Sequence, residues 1–509
     1  MVLDFSSNAD YIWALLPEIL LAIWAMGVLL AGVFTEDNDS DAPGDATTLG
    51  WLSLLGLLVV AAANGWVYGA VEGDGSPMIA MDGFRFFANW LLLAGAALTI
   101  LLSFPYLTRQ RLQIGEFYAL VLLATLGMMF MASARNLILL FLAIETMSVA
   151  AYVLTAFNRR DRKASEAGLK YFLLGAFSSA FLLYGIALVY GGTGTVNLQE
   201  IGEAVARGGA FSPLVLGGMA LLAIGFAFKV AAVPFHMWTP DVYEGAPTPA
   251  TAFMSAAVKA ASFIAFVRVF MEAFPALHDT WYPVVWWLAA LTMIIPNLIA
   301  LTQTNVKRML AYSSVAHGGY LLVALAAANH MAMGALLFYL LIYSIMNIGA
   351  LAVVMVVANH DEEALDLEDY AGFGWKQPVL ATAFTVFLLS LAGFPGTAGF
   401  MAKIFILQGA VESQLWTLAI ILALVTVLSY YYYLRVAWYM WMRPGSSEER
   451  HVRVWAPIPM RAGIVGVAAL LIFLGIFPGG LLDGALDAVQ GLAAGVPAAE
   501  LVSGLPDSP

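Results

Sequence analysis

The chain contains no cysteine. That excludes disulfides, cysteine-ligated iron–sulfur clusters and Cys-type structural zinc sites. Charge is scarce too: 11% of the 509 residues are Asp, Glu, Lys or Arg, against about 25% in a soluble globular domain. There is no basic cluster of the kind that binds nucleic acid, and the net charge is −12. Acidic residues gather in stretches such as TEDNDSDAPGD, which read as solvated loops. The six histidines (His236, His278, His317, His330, His360 and His451) are scattered without a His-x3-His pair, so no helical metal site is expected. No glycine-rich nucleotide loop follows a strand, since GGTGTVN only joins two apolar runs. The opening MVLDFSSNADYIW lacks the basic n-region of a cleaved signal peptide.

What is present is apolar sequence, 62% of the chain. A helix crossing about 30 Å of hydrocarbon needs roughly 20 apolar residues. Fourteen such runs occur between residues 11 and 477, joined mostly by short connections of glycine, proline and charge. The expected fold is therefore an all-α polytopic membrane protein forming one membrane domain over residues 1–509. With the N-terminus outside, thirteen Lys and Arg fall in inner loops and three (Arg85, Arg135 and Arg207) in outer loops. Basic residues accumulate on the cytoplasmic side, so both termini are expected on the outer face.

Two of the fourteen runs are interrupted. The seventh, FKVAAVPFHMWTPDVYEGAPTPAT, carries Pro234 at membrane depth. The twelfth, LSLAGFPGTAGFMAK, carries Gly393, Pro395, Gly396 and Gly399. Proline removes a backbone donor and breaks the helix, and unpaired backbone survives at that depth only against protein or water. The breaks lie five spans apart, so the two broken helices run in opposite directions. This pattern predicts two five-helix units of inverted topology, 115–275 and 282–442, preceded by three helices in 1–114 and followed by a last helix and tail in 443–509.

Charge inside the runs is the functional signal. Lys229 precedes the first break and Lys403 follows the second, with Lys259, Lys170 and Glu145 in neighbouring runs. An ionisable side chain in hydrocarbon is costly and marks a wet interior or a charge pathway. Lys170 has a plainer reading, because Glu166 lies one turn away and can pair with it. Arg268 and Arg435 read as anchors or structural ion pairs, and Glu18 as a cap or pair. Burial disfavours a charged lysine while a nearby carboxylate favours it. Glu145 beside a lysine would thus switch its protonation, and the expected chemistry is proton movement without a cofactor in this chain.

The stretches FKVAAVPFHMWTPDVYEGAPTPATAF, KYFLLGAFSSAFLLYG, LAGFPGTAGFMAKIF and LTQTNVKRMLAYSSVAHGGYLL resemble the antiporter-like membrane subunits of respiratory complex I, the proton-translocating NADH-quinone oxidoreductase. Nearly the whole chain shares the resemblance, and VYEGAPTP favours the N type over the L, M and Mrp types. The resemblance implies a relay in which Glu145 is the fifth-helix carboxylate, Lys229 the central lysine and Lys170 its sixth-helix modulator. It implies Lys259 as connecting lysine, His236 as the histidine beside the break, Lys307 and His317 as the link into the second half, and Lys403 as the exit-side lysine. It further implies that NAD, FMN, iron–sulfur clusters and quinone sit in partner subunits, that the chain docks against sister membrane subunits, and that it resides in a bacterial plasma membrane. In one departure from the family pattern, Gly396 replaces the second of two adjacent prolines. The alternatives are an Mrp-type cation/proton antiporter subunit, a related hydrogenase membrane subunit, or a structural scaffold.

Overall fold

The structure, a computed structural model, describes all residues except 1, 2, 4, 6, 7, 36–46, 72–74, 111, 113, 114, 209–211, 360, 361, 445–451, 455, 456 and 494–509. Arg111 and Arg450, two of the cations counted for orientation, lie outside the described residues, as do His360 and His451. The helices are α1 (Asn8–Ala14), α2 (Leu16–Thr35), α3 (Thr47–Ala70), α4 (Gly83–Arg109), α5 (Gly115–Ser133), α6 (Leu137–Thr155) and α7 (Arg162–Thr193). Then come α8 (Leu198–Ala206), α9 (Pro213–Lys229), α10 (Trp238–Gly245), α11 (Thr248–Phe253), α12 (Lys259–Ala273), α13 (His278–Ala300), α14 (Val306–Ala327) and α15 (His330–Val356). The last are α16 (Phe373–Lys376), α17 (Pro378–Ala392), α18 (Ala398–Glu412), α19 (Trp416–Met442), α20 (Ile458–Ile476), α21 (Gly479–Ala488) and α22 (Gln490–Ala493).

The helix starts follow from short polar residues between apolar runs. Asp82, Asn136, Asp161, Asn305 and Asn329 cap α4, α6, α7, α14 and α15 by accepting first-turn backbone N–H groups, which satisfies donors that have no partner inside a helix. Proline opens α9, α17 and α20 at their first turns, where its missing N–H costs nothing.

Among the described residues, eleven helical segments are long and apolar enough to cross a bilayer, or twelve if Met460–Ile476 and Gly479–Leu492, bent by 81°, count as one span. The helices α9 and α17 are apolar but too short to span alone. Each ends at one of the expected breaks. The all-helical expectation is extended by a small antiparallel sheet of β1 (Val357–Asn359), β2 (Glu362–Glu363) and β3 (Val452–Val454), ordered β2-β1-β3.

The core runs along α11–α12, α14 and α15, whose most apolar windows are 94–100% buried in the chain itself. A π-helical turn, Met254–Val258, joins α11 to α12 immediately before Lys259; such turns inside α-helices frequently mark functional positions. Helices α2, α3, α7 and α19 keep most of their apolar surface outside the bundle. At one end of the bundle, the C-terminus of α4, the α6–α7 connection, the start of α14 and Glu363 of β2 line a common cavity. This end carries Arg159, Arg160, Arg162, Lys163, Lys307 and Arg308 and is called the basic end below.

Candidate functional site

Both breaks leave backbone groups that need partners, and both recruit them locally. After α9, Ala232 N–H donates to Ala227 O and Val233 N–H to Thr292 Oγ1 at 2.9 Å, while the Trp238 indole caps Phe228 O. After α17, Gly393 adopts φ +83, a left-handed conformation natural to glycine, and its N–H returns to Leu389 and Ser390. A Cβ on Gly393 would sit 2.9 Å from Lys403 Cδ, so the missing side chain makes room for the lysine. Gly396 adopts φ +87, which proline, fixed near −65°, cannot reach. The departure from the family pattern thus keeps the break and gives it a backbone path of its own.

The two break lysines occupy equivalent electrostatic positions. Lys229 lies in the last turn of α9. Lys403, from α18, reaches back to donate to Leu391 O at 3.1 Å and Ala392 O at 2.8 Å, the final carbonyls of α17. Lys403 thus caps the negative end of α17, and Lys229 belongs to the last turn of α9, where the dipole likewise favours a cation. Lys403 also lies over the Tyr320 ring, 4.9 Å from its centroid.

Around Lys229, the ammonium donates to Ser148 Oγ at 2.8 Å. Ser148 is one turn beyond Glu145 on α6, and Glu145 lies within electrostatic reach of Lys229. The Glu145 carboxylate, half-buried, accepts a hydrogen bond from the Ser179 hydroxyl of α7. Glu145 and Lys229 are thus neighbours that form no direct ion pair, each held by its own serine, Ser179 and Ser148.

Lys259 donates to Ser314 O at 2.5 Å and Ser314 Oγ at 2.7 Å on α14. Three residues on, His317 Nδ1 and Nε2 bond the hydroxyls of Tyr339 (2.7 Å) and Tyr433 (3.2 Å), and Tyr433 also pairs with Ser313. His317 lies within electrostatic reach of both Lys259 and Lys403. Its ring is 5.3 Å from that of Tyr320, the ring that lies under Lys403. Gly318 leaves room for a close approach: a Cβ there would stand 3.3 Å from Val230 O and 3.8 Å from Lys259 Nζ. Lys229, Lys259 and Lys403 are 6%, 2% and 4% exposed.

Three expected members stand apart from this line. Lys170 is 43% exposed and pairs with Glu166 (2.7 Å) and Asp241 (3.0 Å); Asp241 also binds Arg308, which binds Glu244. His236 is half-buried within the first break, and among the described residues no hydrogen bond or ion pair ties it to Lys229 or Lys259. Lys307 is buried at the basic end, where it donates to Ala246 O at 2.6 Å and Glu363 Oε2 at 3.1 Å. Burial would push the Glu363 carboxyl up, but the Lys307 charge and the Thr248 hydroxyl hold it below its usual range.

Other buried charges were legible only as cautious guesses or not at all. Glu18 and Arg85 form an ion pair at 2.8 Å with both side chains fully buried, and Arg85 also donates to Ala14 O and Ala80 O. Glu18 is therefore a second carboxylate deep in the bundle besides Glu145. Arg268 binds Asp82 at 2.8 Å and Glu272 at 2.6 Å, the structural pairing its sequence context suggested. Burial raises the Asp82 carboxyl, yet Arg268 holds it below the usual range. Arg435 donates to Leu301 O at 2.9 Å and to Gln303 O. Among the described residues no group of three or more His, Cys, Asp or Glu could hold a metal ion.

A bundle with two broken helices and a buried lysine at each break defines an antiporter-like membrane subunit, and comparison with known proteins agrees. Residues 134–429 match the family described as NADH:quinone oxidoreductase/Mrp antiporter, TM. The chain is 47% identical over 479 residues to NADH-quinone oxidoreductase subunit N of Trichlorobacter lovleyi, covering 94% of this chain and 96% of that one. It belongs to the subunit N family of NADH-quinone oxidoreductase. Among solved structures, a chain of respiratory complex I from Thermus thermophilus with bound aureothin is 36% identical, with a TM-score of 0.78 over 93% of this chain and 100% of that one. A chain of the Mrp complex from Dietzia sp. shares the fold, with 21% identity and a TM-score of 0.79 over 94% of this chain and 97% of that one.

Proposed function

We propose that this subunit translocates protons in the membrane arm of NADH-quinone oxidoreductase, through Glu145, Lys229, Lys259, His317 and Lys403, while redox chemistry proceeds in partner subunits. The observation that carries the reading is the buried run Lys259–Ser314, His317–Tyr339/Tyr433, Tyr320–Lys403. The lysines, His317 and the hydroxyls bonded to them can hold or pass a proton, the Tyr320 ring packs between His317 and Lys403, and the run starts beside one helix break and ends at the other. Lysine is suited to the task because its charge responds to burial and to neighbouring charge. Glu145 is the control on the first unit: moving its carboxylate relative to Lys229 changes the proton affinity of the lysine, and Ser148 and Ser179 fix the resting separation. Lys170 acts on the same unit from the edge through its Asp241–Arg308 network, and His236 acts from within the break.

The same reading takes α9 with α10, and α17 with α18, as two interrupted spans. Added to the long helices and the α20 segment they bring the count to fourteen, in two inverted units, 115–275 and 282–442, flanked by 1–114 and 443–509. The basic end is then the inner side of a bacterial plasma membrane, with both termini outside. NAD, FMN, iron–sulfur clusters and quinone belong to partner subunits, against which this chain packs sideways. The Mrp complex has the same fold at 21% identity, so fold alone does not separate pump from antiporter; the 47% identity to a subunit N favours the pump. Replacing Lys229 or Glu145 by Ala should cut NADH-driven proton pumping sharply in an assembled complex. Undiminished pumping in both variants would defeat the reading.

A further inference from the structure

The basic end holds a cavity of about 630 Å³ that the relay above does not use. It is open-mouthed and polar. Asn158, Arg160 and Asp161 stand among its lining residues in the α6–α7 connection, and Lys307 and Glu363 line it deeper in the bundle. Lys307 is 1% exposed, and its ammonium is held by Ala246 O and the Glu363 carboxylate. Thr248 donates to the other Glu363 oxygen at 2.5 Å, and the Tyr106 hydroxyl lies beside it. One carboxylate thus gathers groups from the N-terminal helices, from the segment after the first break and from the second half of the chain.

Lys307 also faces the relay. Ser314, the anchor of Lys259, lies seven residues further along α14, on the same helix face and about 10 Å deeper. The Tyr243 hydroxyl of α10 lies beside Ser314, and Ala246, which binds Lys307, follows the same helix.

From this geometry we infer that Lys307 and Glu363 form a proton-intake gate, drawing protons from the cavity at the basic end and delivering them toward Lys259. The inference rests on the proposed relay. The cycle balances in protons. Lys307 in its ammonium form passes a proton inward and becomes a neutral amine. Glu363 then loses the positive charge that kept it ionised, and burial favours its protonation. It takes a proton from cavity water and hands it to the Lys307 amine, which restores the ion pair. Because Glu363 binds a proton only after Lys307 has emptied, the pair admits one proton per inward transfer and resists leakage back to the cavity. On this inference Lys307 is the mouth of the relay.

The test uses the intact complex. Glu363→Gln keeps the shape and hydrogen bonding but removes the ionisable oxygen, and should lower NADH-driven proton pumping about tenfold or more, the low end of what loss of a proton-transfer group costs. Glu363→Asp retains a carboxylate and should recover at least half of the pumping, which a purely structural ion pair of altered length would not. The chain has no native cysteine, so Asn158→Cys gives one labelling site in this subunit at the rim. A bulky membrane-impermeant thiol reagent applied to the basic-end side should slow pumping in that variant only. Wild-type pumping by assembled Glu363→Gln, beside an inactive Lys229→Ala control, overturns the gate and leaves the relay standing. Wild-type pumping by both variants brings down relay and gate together.

Discussion

At the scale of single residues, the chain contains two kinds of buried charge. Glu18–Arg85 and Arg268–Asp82–Glu272 are closed: each cation meets a carboxylate directly. Lys229, Lys259 and Lys403 are open: each binds only serine oxygens or backbone carbonyls. An ammonium held by neutral dipoles can lose its proton without stranding a buried carboxylate, whereas a closed pair with no access to a cavity, unlike Lys307–Glu363, cannot. The closed pairs should therefore govern stability. Glu18→Ala leaves the Arg85 guanidinium buried and unpaired, and should cost about 3–5 kcal/mol, seen as a lower thermal unfolding temperature of the subunit and poor assembly. The double change Glu18→Leu with Arg85→Met should restore most of it, because an apolar pair needs no counter-charge. If Glu18→Ala unfolds like the wild type, the closed/open distinction is wrong. Sequence could not sort these classes. Glu18 and Arg85 are 67 residues apart, and Glu363 sits in an acidic loop stretch, DEEALDLED, that reads as solvated surface until the fold brings it onto Lys307.

At the scale of elements, the broken helices were legible because proline, glycine and lysine coincide in short apolar stretches. What sequence did not show is how the break lysines are held. Lys229 sits in the last turn of its own half-helix, while Lys403 arrives from the following helix and caps the preceding one. Equivalent charge positions are thus reached by different covalent routes. Lys170 illustrates the reverse: its pairing with Glu166 was readable from helical spacing, while Asp241, 71 residues away, was not. Helix α14 does the most positioning. It carries Lys307, Ser313, Ser314, His317 and Tyr320 along its buried length, and Gly318 gives Val230 and Lys259 a close approach. Gly318→Val would place a branched side chain where a single Cβ is already 3.3 Å from Val230 O. The expected result is an assembled, folded subunit whose pumping falls severalfold while NADH oxidation by detergent-solubilised complex is less affected. Normal pumping in Gly318→Val would remove this crossing from the path.

At the scale of the whole molecule, the chain arranges its charge by depth. The N-terminal helices contribute closed pairs and lock onto α12 through Asp82–Arg268. The basic end contributes an open cavity with Lys307 and Glu363 on its lining. Between them, Lys229 of α9, Lys259 of α12 and Lys403 of α18 are all buried, packed around the most buried helices α12, α14 and α15. That the chain forms a helical membrane bundle follows from its composition and apolar runs; the helices that span a bilayer alone number eleven or twelve among the described residues rather than the fourteen runs of the sequence. The proposed path through the bundle does not follow from sequence, because the hydroxyls around Lys259 and His317, those of Ser314, Tyr339 and Tyr433, look like ordinary helix residues until their partners are in place. The measurement that bears most directly on the central claim is proton translocation by membrane vesicles carrying the intact complex with Lys259→Met in this subunit, with NADH oxidation recorded in parallel. Loss of proton translocation by about tenfold or more, in a complex that assembles normally, is the predicted result. Translocation at the wild-type ratio of protons to NADH would contradict it.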